Sequence, residues 1–211
     1  MSPDRSGPSQ TFFDLWSRLY DLAPVQRIVY RPVQDAVVKA IGHPDRILDI
    51  GCGTGLLTAR LALERPGATV IGCDFSFGML EQAAASRAAP AWWVQGDAMR
   101  LPFADSSFGA VACTESFHWY PDQAAALREF FRVLRPGGRL LVALVNPPVD
   151  ALSRAGELAA SIAGQPAVWP SRRRMREMVE EAGFRLEQQR PVRRPPATML
   201  LAAVLTTAVR P

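Results

Sequence analysis

The sequence predicts an α/β fold built on a doubly wound, mostly parallel sheet, and three observations predict it. Short apolar runs of strand length alternate with longer stretches of helical pattern, the signature of parallel strands covered on both faces. The first run, ILDIGCGTG from Ile47 to Gly55, passes from a strand through three alternating glycines to a helix start. The 211 residues suffice for one domain with a sizeable core and are few for two.

In chain order, residues 1–10 are polar, carry Pro3, Gly7 and Pro8, and are expected to be disordered. Residues 11–41 are helical in pattern: Phe12, Leu15, Trp16 and Leu19 recur at i, i+3, i+4, i+7, while Pro24 and Pro32 cut the region into short helices. The core is expected over 45–211. Residues 46–50 form strand one, 56–64 a helix with Thr54 near its start, 68–73 strand two, 78–87 a helix, 91–94 strand three and 110–113 strand four. Residues 122–134 form a helix that the Pro-Gly turn of RPGG ends, and 139–145 form strand five. The stretch 146–170, with four prolines, is the least regular; a short helix near 153–163 is expected to lie over a pocket. A helix over 171–182 stops at Gly183, and strands six and seven follow at 184–189 and 198–209. The apolar run 198–209 is too short to span a bilayer and reads as a core strand.

Hydrophobic residues make up 48% and charged residues 21%, which is globular rather than disordered composition. The formal charge of +4 permits an acidic partner without demanding nucleic acid, and no RNA-binding module is attached. Cys52, Cys73 and Cys113 stand far apart with no C-x-x-C, so neither zinc, another metal nor a disulfide framework is expected. The amino terminus does not resemble a signal peptide, and the expected compartment is a reducing cytoplasm.

Ligands of such sheets bind beyond the carboxyl ends of the strands. Gly51, Gly53 and Gly55 lie there, where a helix start offers unpaired N–H groups and glycine lets a ligand approach the backbone. A dinucleotide fingerprint would want glycine at position 56, which is Leu56, and no Gly-Lys-Ser/Thr follows for a phosphate loop. Asp74 ends the next strand, nineteen residues after Gly55, where a carboxylate can accept two hydrogen bonds from ribose hydroxyls. After strand three come Asp97 and Ala98, placed to meet an adenine amino group and ring nitrogen.

Five stretches in this order resemble a class I S-adenosylmethionine-dependent methyltransferase of the small-molecule, quinone-biosynthesis-like branch: LDIGCGTG, VIGCDFSFGML, GDAMRLPFADSSFGAV, ESFHWYPD and RVLRPGGRLLV. The resemblance implies a Rossmann-like seven-stranded sheet of order 3-2-1-4-5-7-6 with strand seven antiparallel, and N-terminal lid helices. It implies S-adenosylmethionine as cofactor and S-adenosylhomocysteine as product. By the same resemblance Gly51, Gly53 and Gly55 let a methionine-bearing nucleoside lie against the backbone, carbonyls near Asp49 and Gly51 hold its amino group, Asp74 lies on the ribose and Asp97 near the adenine, with Phe75 and Ala98 among the cofactor residues. Thr114 and Tyr20 complete the cofactor set, Tyr20 through an N-terminal Tyr-Asp element that closes the pocket.

On the acceptor side, Glu115 and His118 follow strand four three residues apart, so in a helical turn they would share a face. A hydroxyl acceptor must lose a proton, which calls for a base of near-neutral pKa. His118 is either that base or a contact to the cofactor and loop. The expected reaction is methyl transfer to a small hydroxylated metabolite at oxygen, with carbon and nitrogen acceptors open. The rivals are a cofactor-binding homologue without turnover and a nicotinamide-dependent oxidoreductase. The partner is a small-molecule acceptor, and the chain is expected to be a monomer or homodimer. Asn146-Pro-Pro follows strand five rather than strand four, so it does not match the motif of amino methyltransferases, and Arg172–Arg176 reads as a solvated charge run.

Overall fold

The computed structural model describes residues 30–86, 89–162, 167–192 and 203–211. The expected disordered start and N-terminal helices up to residue 29, including Phe12, Trp16, Tyr20 and Asp21, lie outside the described residues.

The elements run α1 (Arg31–Ala40), β1 (Arg46–Ile50), α2 (Leu56–Glu64), β2 (Thr69–Asp74), α3 (Phe77–Ser86), β3 (Ala91–Gln95) and β4 (Phe108–Thr114). A 3-10 turn (Phe117–Trp119) follows, then α4 (Gln123–Val133), β5 (Leu134–Val145), α5 (Asp150–Ile162), α6 (Arg172–Glu181), β6 (Arg185–Pro191) and β7 (Ala203–Val209). The seven strands form one sheet in the order β3-β2-β1-β4-β5-β7-β6. Strand β7 is antiparallel to β5 and β6, and the remaining pairs are parallel. Both features agree with the order the family resemblance implied.

Every residue from Ile47 to Ile50 is buried, because both faces of β1 are covered. Leu48, Ile50, Val111 and Val142 pack on one face with Phe130 of α4 and Met175 and Val179 of α6. Ile47, Val70, Ala110 and Leu141 pack on the other with Val37 of α1 and Leu57 and Leu61 of α2. Helices α4 and α6 begin on side-chain caps: Asp122 accepts from the Ala125 amide at 2.8 Å and Ser171 from the Arg174 amide at 3.1 Å. Pro32, read as a cut, instead stands in the first turn of α1, where its missing N–H costs nothing.

The Pro-Gly turn expected before strand five is drawn into the sheet. Helix α4 ends at Val133 and β5 runs on from Leu134, with Gly137 at φ 77°. The Gly137 amide donates to Arg210 O at 2.8 Å, and Gly138 O accepts from the Arg210 amide at 2.9 Å. Pairing with residues at the far end of the chain satisfies the turn's backbone, which no local pattern announces.

In the irregular stretch after β5, the Asn146 amide donates to Pro170 O at 2.7 Å, so this side chain ties the loop. The arginines of α6 meet Asp150, Glu177 and Glu181 in surface ion pairs. Among the described residues no helix is long and apolar enough to cross a membrane. The three cysteines are free thiols.

Candidate functional site

The turn after β1 is held down at once: the Gly51 amide donates to Cys73 O at 2.8 Å, which ties it to the end of β2. Gly51, Gly53 and Gly55 all have left-handed backbones, φ 64°, 54° and 76°. Their surroundings differ. A Cβ on Gly51 would lie 2.3 Å from Ser116 Oγ, and one on Gly55 would lie 2.3 Å from the Trp93 ring. A Cβ on Gly53 would meet nothing within 4 Å. Only Gly53 therefore bares its backbone to open space; the other two make room for the protein's own side chains, where sequence reasoning gave all three to a ligand.

Asp74 locks this turn to β2. Its Oδ2 accepts from the Gly53 amide at 2.8 Å and its Oδ1 from the Ser76 amide at 2.9 Å. Burial raises its pKa, and these N–H donors work against that rise. Each oxygen retains a lone pair, the acceptor set two ribose hydroxyls require. Beside it Phe75 is 61% exposed, an apolar plate at the mouth of the crevice. Asp97 Oδ1 accepts from the Met99 amide at 2.8 Å, and Ala98 beside it is buried. Helix α4 pins the loop that follows: the Leu101 amide donates to Glu129 Oε2 at 2.7 Å, and Arg132 donates to Phe103 O at 2.8 Å.

Asp49 is 1% exposed. Its Oδ2 accepts from Thr58 Oγ1 at 2.6 Å, and its Oδ1 has no partner among the described residues. Burial pushes its pKa up to about 7; the Thr58 hydrogen bond opposes this and the negative charge of Asp74 adds to it.

A cluster the sequence reading missed lies under Gly51. Ser116 Oγ donates to Ile50 O at 3.2 Å and is hydrogen-bonded with the Tyr120 hydroxyl at 3.0 Å and Cys113 Sγ at 3.2 Å. Burial pushes the Cys113 thiol up to about 12 and raises the Tyr120 hydroxyl well above its usual range, so both stay protonated at neutral pH. Sequence reading offered Tyr120 as a wall of the cofactor or a packing residue and set Cys113 at the end of strand four; nothing local announced that Ser116 would join them. Tyr120 also walls a separate depression of about 480 Å³ lined by Asp122, Ser153, Val168, Pro170 and Arg173. It thus stands between the turn at Gly51 and this depression.

Thr114 ends β4, half-buried and in register with Ala143. Glu115 has a left-handed backbone, φ 51°, and its amide donates to Ala143 O at 2.8 Å. His118 belongs to the following 3-10 turn, so the two do not share one helical face. The His118 ring stacks on Trp169 at 5.0 Å and contacts Trp119 at 4.8 Å, and its Nδ1 has no hydrogen-bond partner among the described residues. Burial lowers its pKa to about 4, with no carboxylate contributing.

Beyond the carboxyl ends of β1 and β2 the structure thus brings together open space beside Gly53, an anchored carboxylate in Asp74 and the exposed ring of Phe75. A methyltransferase-domain family matches residues 48–142. The demethylmenaquinone methyltransferase of Thermus thermophilus is 41% identical over 139 residues, which cover 64% of this chain and 62% of that protein. The demethylmenaquinone methyltransferase of a Mycobacterium species (strain KMS) is 35% identical over 199 residues, covering 82% of this chain and 84% of that protein. Among solved structures, the phosphoethanolamine N-methyltransferase 2 of Haemonchus contortus shares the fold with a TM-score of 0.76 and 19% identity, covering 99% of this chain and 59% of that chain. At the identity and coverage of the Mycobacterium relative, the chain belongs to the class I S-adenosylmethionine-dependent methyltransferases of the quinone-biosynthesis-like type, and S-adenosylmethionine is its cofactor.

Proposed function

We propose that this chain transfers a methyl group to a ring carbon of a small hydroxylated aromatic acceptor of the quinol type. The observation that carries this reading is the 35% identity to a demethylmenaquinone methyltransferase over 84% of its length. Converting a demethylmenaquinone to a menaquinone places the methyl on a ring carbon. This reading replaces the expected attack by oxygen as the first choice.

The cofactor, when bound, supplies a methyl group made electrophilic by a sulfonium. The protein's own work is then to align the acceptor, exclude water and manage one acceptor proton. Gly53 and Asp74 hold the nucleoside end. We assign the acceptor hydroxyl's proton to Glu115. Its left-handed backbone at the end of β4 is uncommon for a residue with a Cβ, and such conformations concentrate at functional sites. Removing that proton pushes the oxygen's electrons into the ring and makes the neighbouring carbon nucleophilic; once that carbon carries the methyl, its own hydrogen leaves as a proton and the oxygen is reprotonated, so the ring regains aromaticity and one proton is released in all. The His118 ring stacks on Trp169 and contacts Trp119, which supports a role in shaping the loop.

The test supplies methyl-labelled S-adenosylmethionine and a reduced, short-chain demethylquinol, and locates the label by NMR and mass spectrometry. Label on the ring carbon, with turnover lost in Glu115→Gln while S-adenosylhomocysteine affinity is kept, supports the reading. Label on oxygen restores the hydroxyl acceptor; no transfer despite tight cofactor binding favours the homologue without turnover.

A further inference from the structure

We propose that Trp93 is a positioning residue for the cofactor turn, acting through the space left by Gly55 and Gly72. The proposal rests on the cofactor reading of this crevice and extends it to a side chain outside the crevice's own motifs.

Register places Asp49, Gly72 and Trp93 side by side across β1, β2 and β3. Residues paired in this way point to the same face of the sheet. The middle member has no side chain. A Cβ on Gly72 would lie 2.8 Å from Trp93 Cε3 and Cζ3 and 2.9 Å from Thr58 Oγ1. A Cβ on Gly55 would lie 2.3 Å from Trp93 Cη2 and 3.0 Å from the Ala83 Cβ. The indole therefore lies across Gly72 and reaches the left-handed residue that opens α2.

Glycine inside a buried strand gives up packing and order, so it marks a close approach. At Gly72 the approaching group is the Trp93 ring rather than a ligand. Two register positions on, the next pair on this face is Asp74 with Gln95, and Asp74 carries the hydrogen bond to the Gly53 amide. Trp93 thus stands two positions before the register of the acid that grips the turn and directly against Gly55, which ends it. The same contact includes Thr58, the donor to Asp49. An indole is rigid, and close-packed interiors transmit displacement. A ring that tilts must move Gly55, and with it the first turn of α2 and the Gly53 backbone that Asp74 holds. Trp93 sets the height of the turn without itself touching the cofactor's polar groups.

Gly72 and Trp93 should then be energetically coupled in cofactor binding. The experiment measures S-adenosylhomocysteine binding by calorimetry, and folding stability by urea, for the wild-type chain, Trp93→Phe, Trp93→Ala, Gly72→Ala and the double variant Gly72→Ala/Trp93→Ala. Trp93→Ala is expected to weaken binding about tenfold to a hundredfold, the scale of a misplacement of roughly an ångström, with Trp93→Phe intermediate. Gly72→Ala is expected to weaken binding in the wild-type background, because its methyl pushes the ring. In the Trp93→Ala background the larger part of that penalty should vanish, because the ring it displaces is gone and only the Thr58 contact remains.

Loss of stability in Trp93→Ala and Trp93→Phe with affinity held within about twofold of wild type overturns the proposal, since packing alone then explains the ring. So does a Gly72→Ala penalty on affinity that is equal in both backgrounds. Failure of the wild-type chain to bind S-adenosylhomocysteine overturns the cofactor reading and this proposal together, whereas wild-type binding with unaffected variants overturns this proposal alone.

Discussion

Asp49→Asn isolates one buried carboxyl whose charge the fold disfavours. Asp49 is 1% exposed, and among the described residues it has one donor in Thr58, one oxygen without a partner and no cation contributing to its environment. Its pKa rises from the ordinary 3.8 to about 7, with burial as the largest cause. The folded protein then holds a proton that the unfolded chain has released, over about pH 4 to 7. Stability from this group is fully present below the unfolded pKa and is lost as pH rises through that window. A rise of about three pH units at ~1.4 kcal/mol each gives a loss of about 4 kcal/mol at most between the two ends. His118 acts with the opposite sign. Its pKa falls from 6.5 to about 4, so protonation of the unfolded chain lowers stability as pH falls through that range. The wild-type curve is therefore a partial cancellation, and the diagnostic quantity is the difference between wild type and Asp49→Asn. The asparagine carbonyl can still accept from Thr58, so packing changes little. Urea unfolding at several values from about pH 4.5 to 8 should give a difference that grows in favour of the variant as pH rises and levels off above about 7. Parallel curves for the two proteins would mean that Asp49 ionises in the folded state as it does unfolded, and the reasoning from its burial would be wrong.

Asp74→Ala should cost about 1.5–3 kcal/mol of S-adenosylhomocysteine affinity, because it removes a charged acceptor and releases the Gly53 amide; calorimetry that shows unchanged affinity refutes the ribose assignment. His118→Ala should lower stability through loss of its stack on Trp169 while leaving the shape of the pH dependence of turnover between about pH 6 and 8 as it was, since a group near 4 does not titrate there. Disappearance of a limb in that window on mutation would restore His118 as the base.

The sequence by itself determined the sheet and the meeting of Gly53 and Asp74 at its carboxyl end. Strand apolarity and turn glycines are local properties, so β1 and α2 stand where the pattern put them, and Gly53 and Asp74 come together because each ends a neighbouring strand. Asp97 and Ala98 were placed by the same logic of strand ends. Only the tertiary structure decided what each position does. The three glycines look alike in sequence, yet Ser116 fills the room beside Gly51, Trp93 that beside Gly55, and Gly53 alone stays open. The residues that fill those spaces come from β3 and from the loop after β4, so no window of the chain contains both partners. Glu115 and His118 look like neighbours on a helix, and a left-handed residue followed by a 3-10 turn separates them. Charge was hidden for the same reason: the pKa values of Asp49 and His118 follow from burial, which depends on how distant segments pack over them rather than on their own neighbours in the chain.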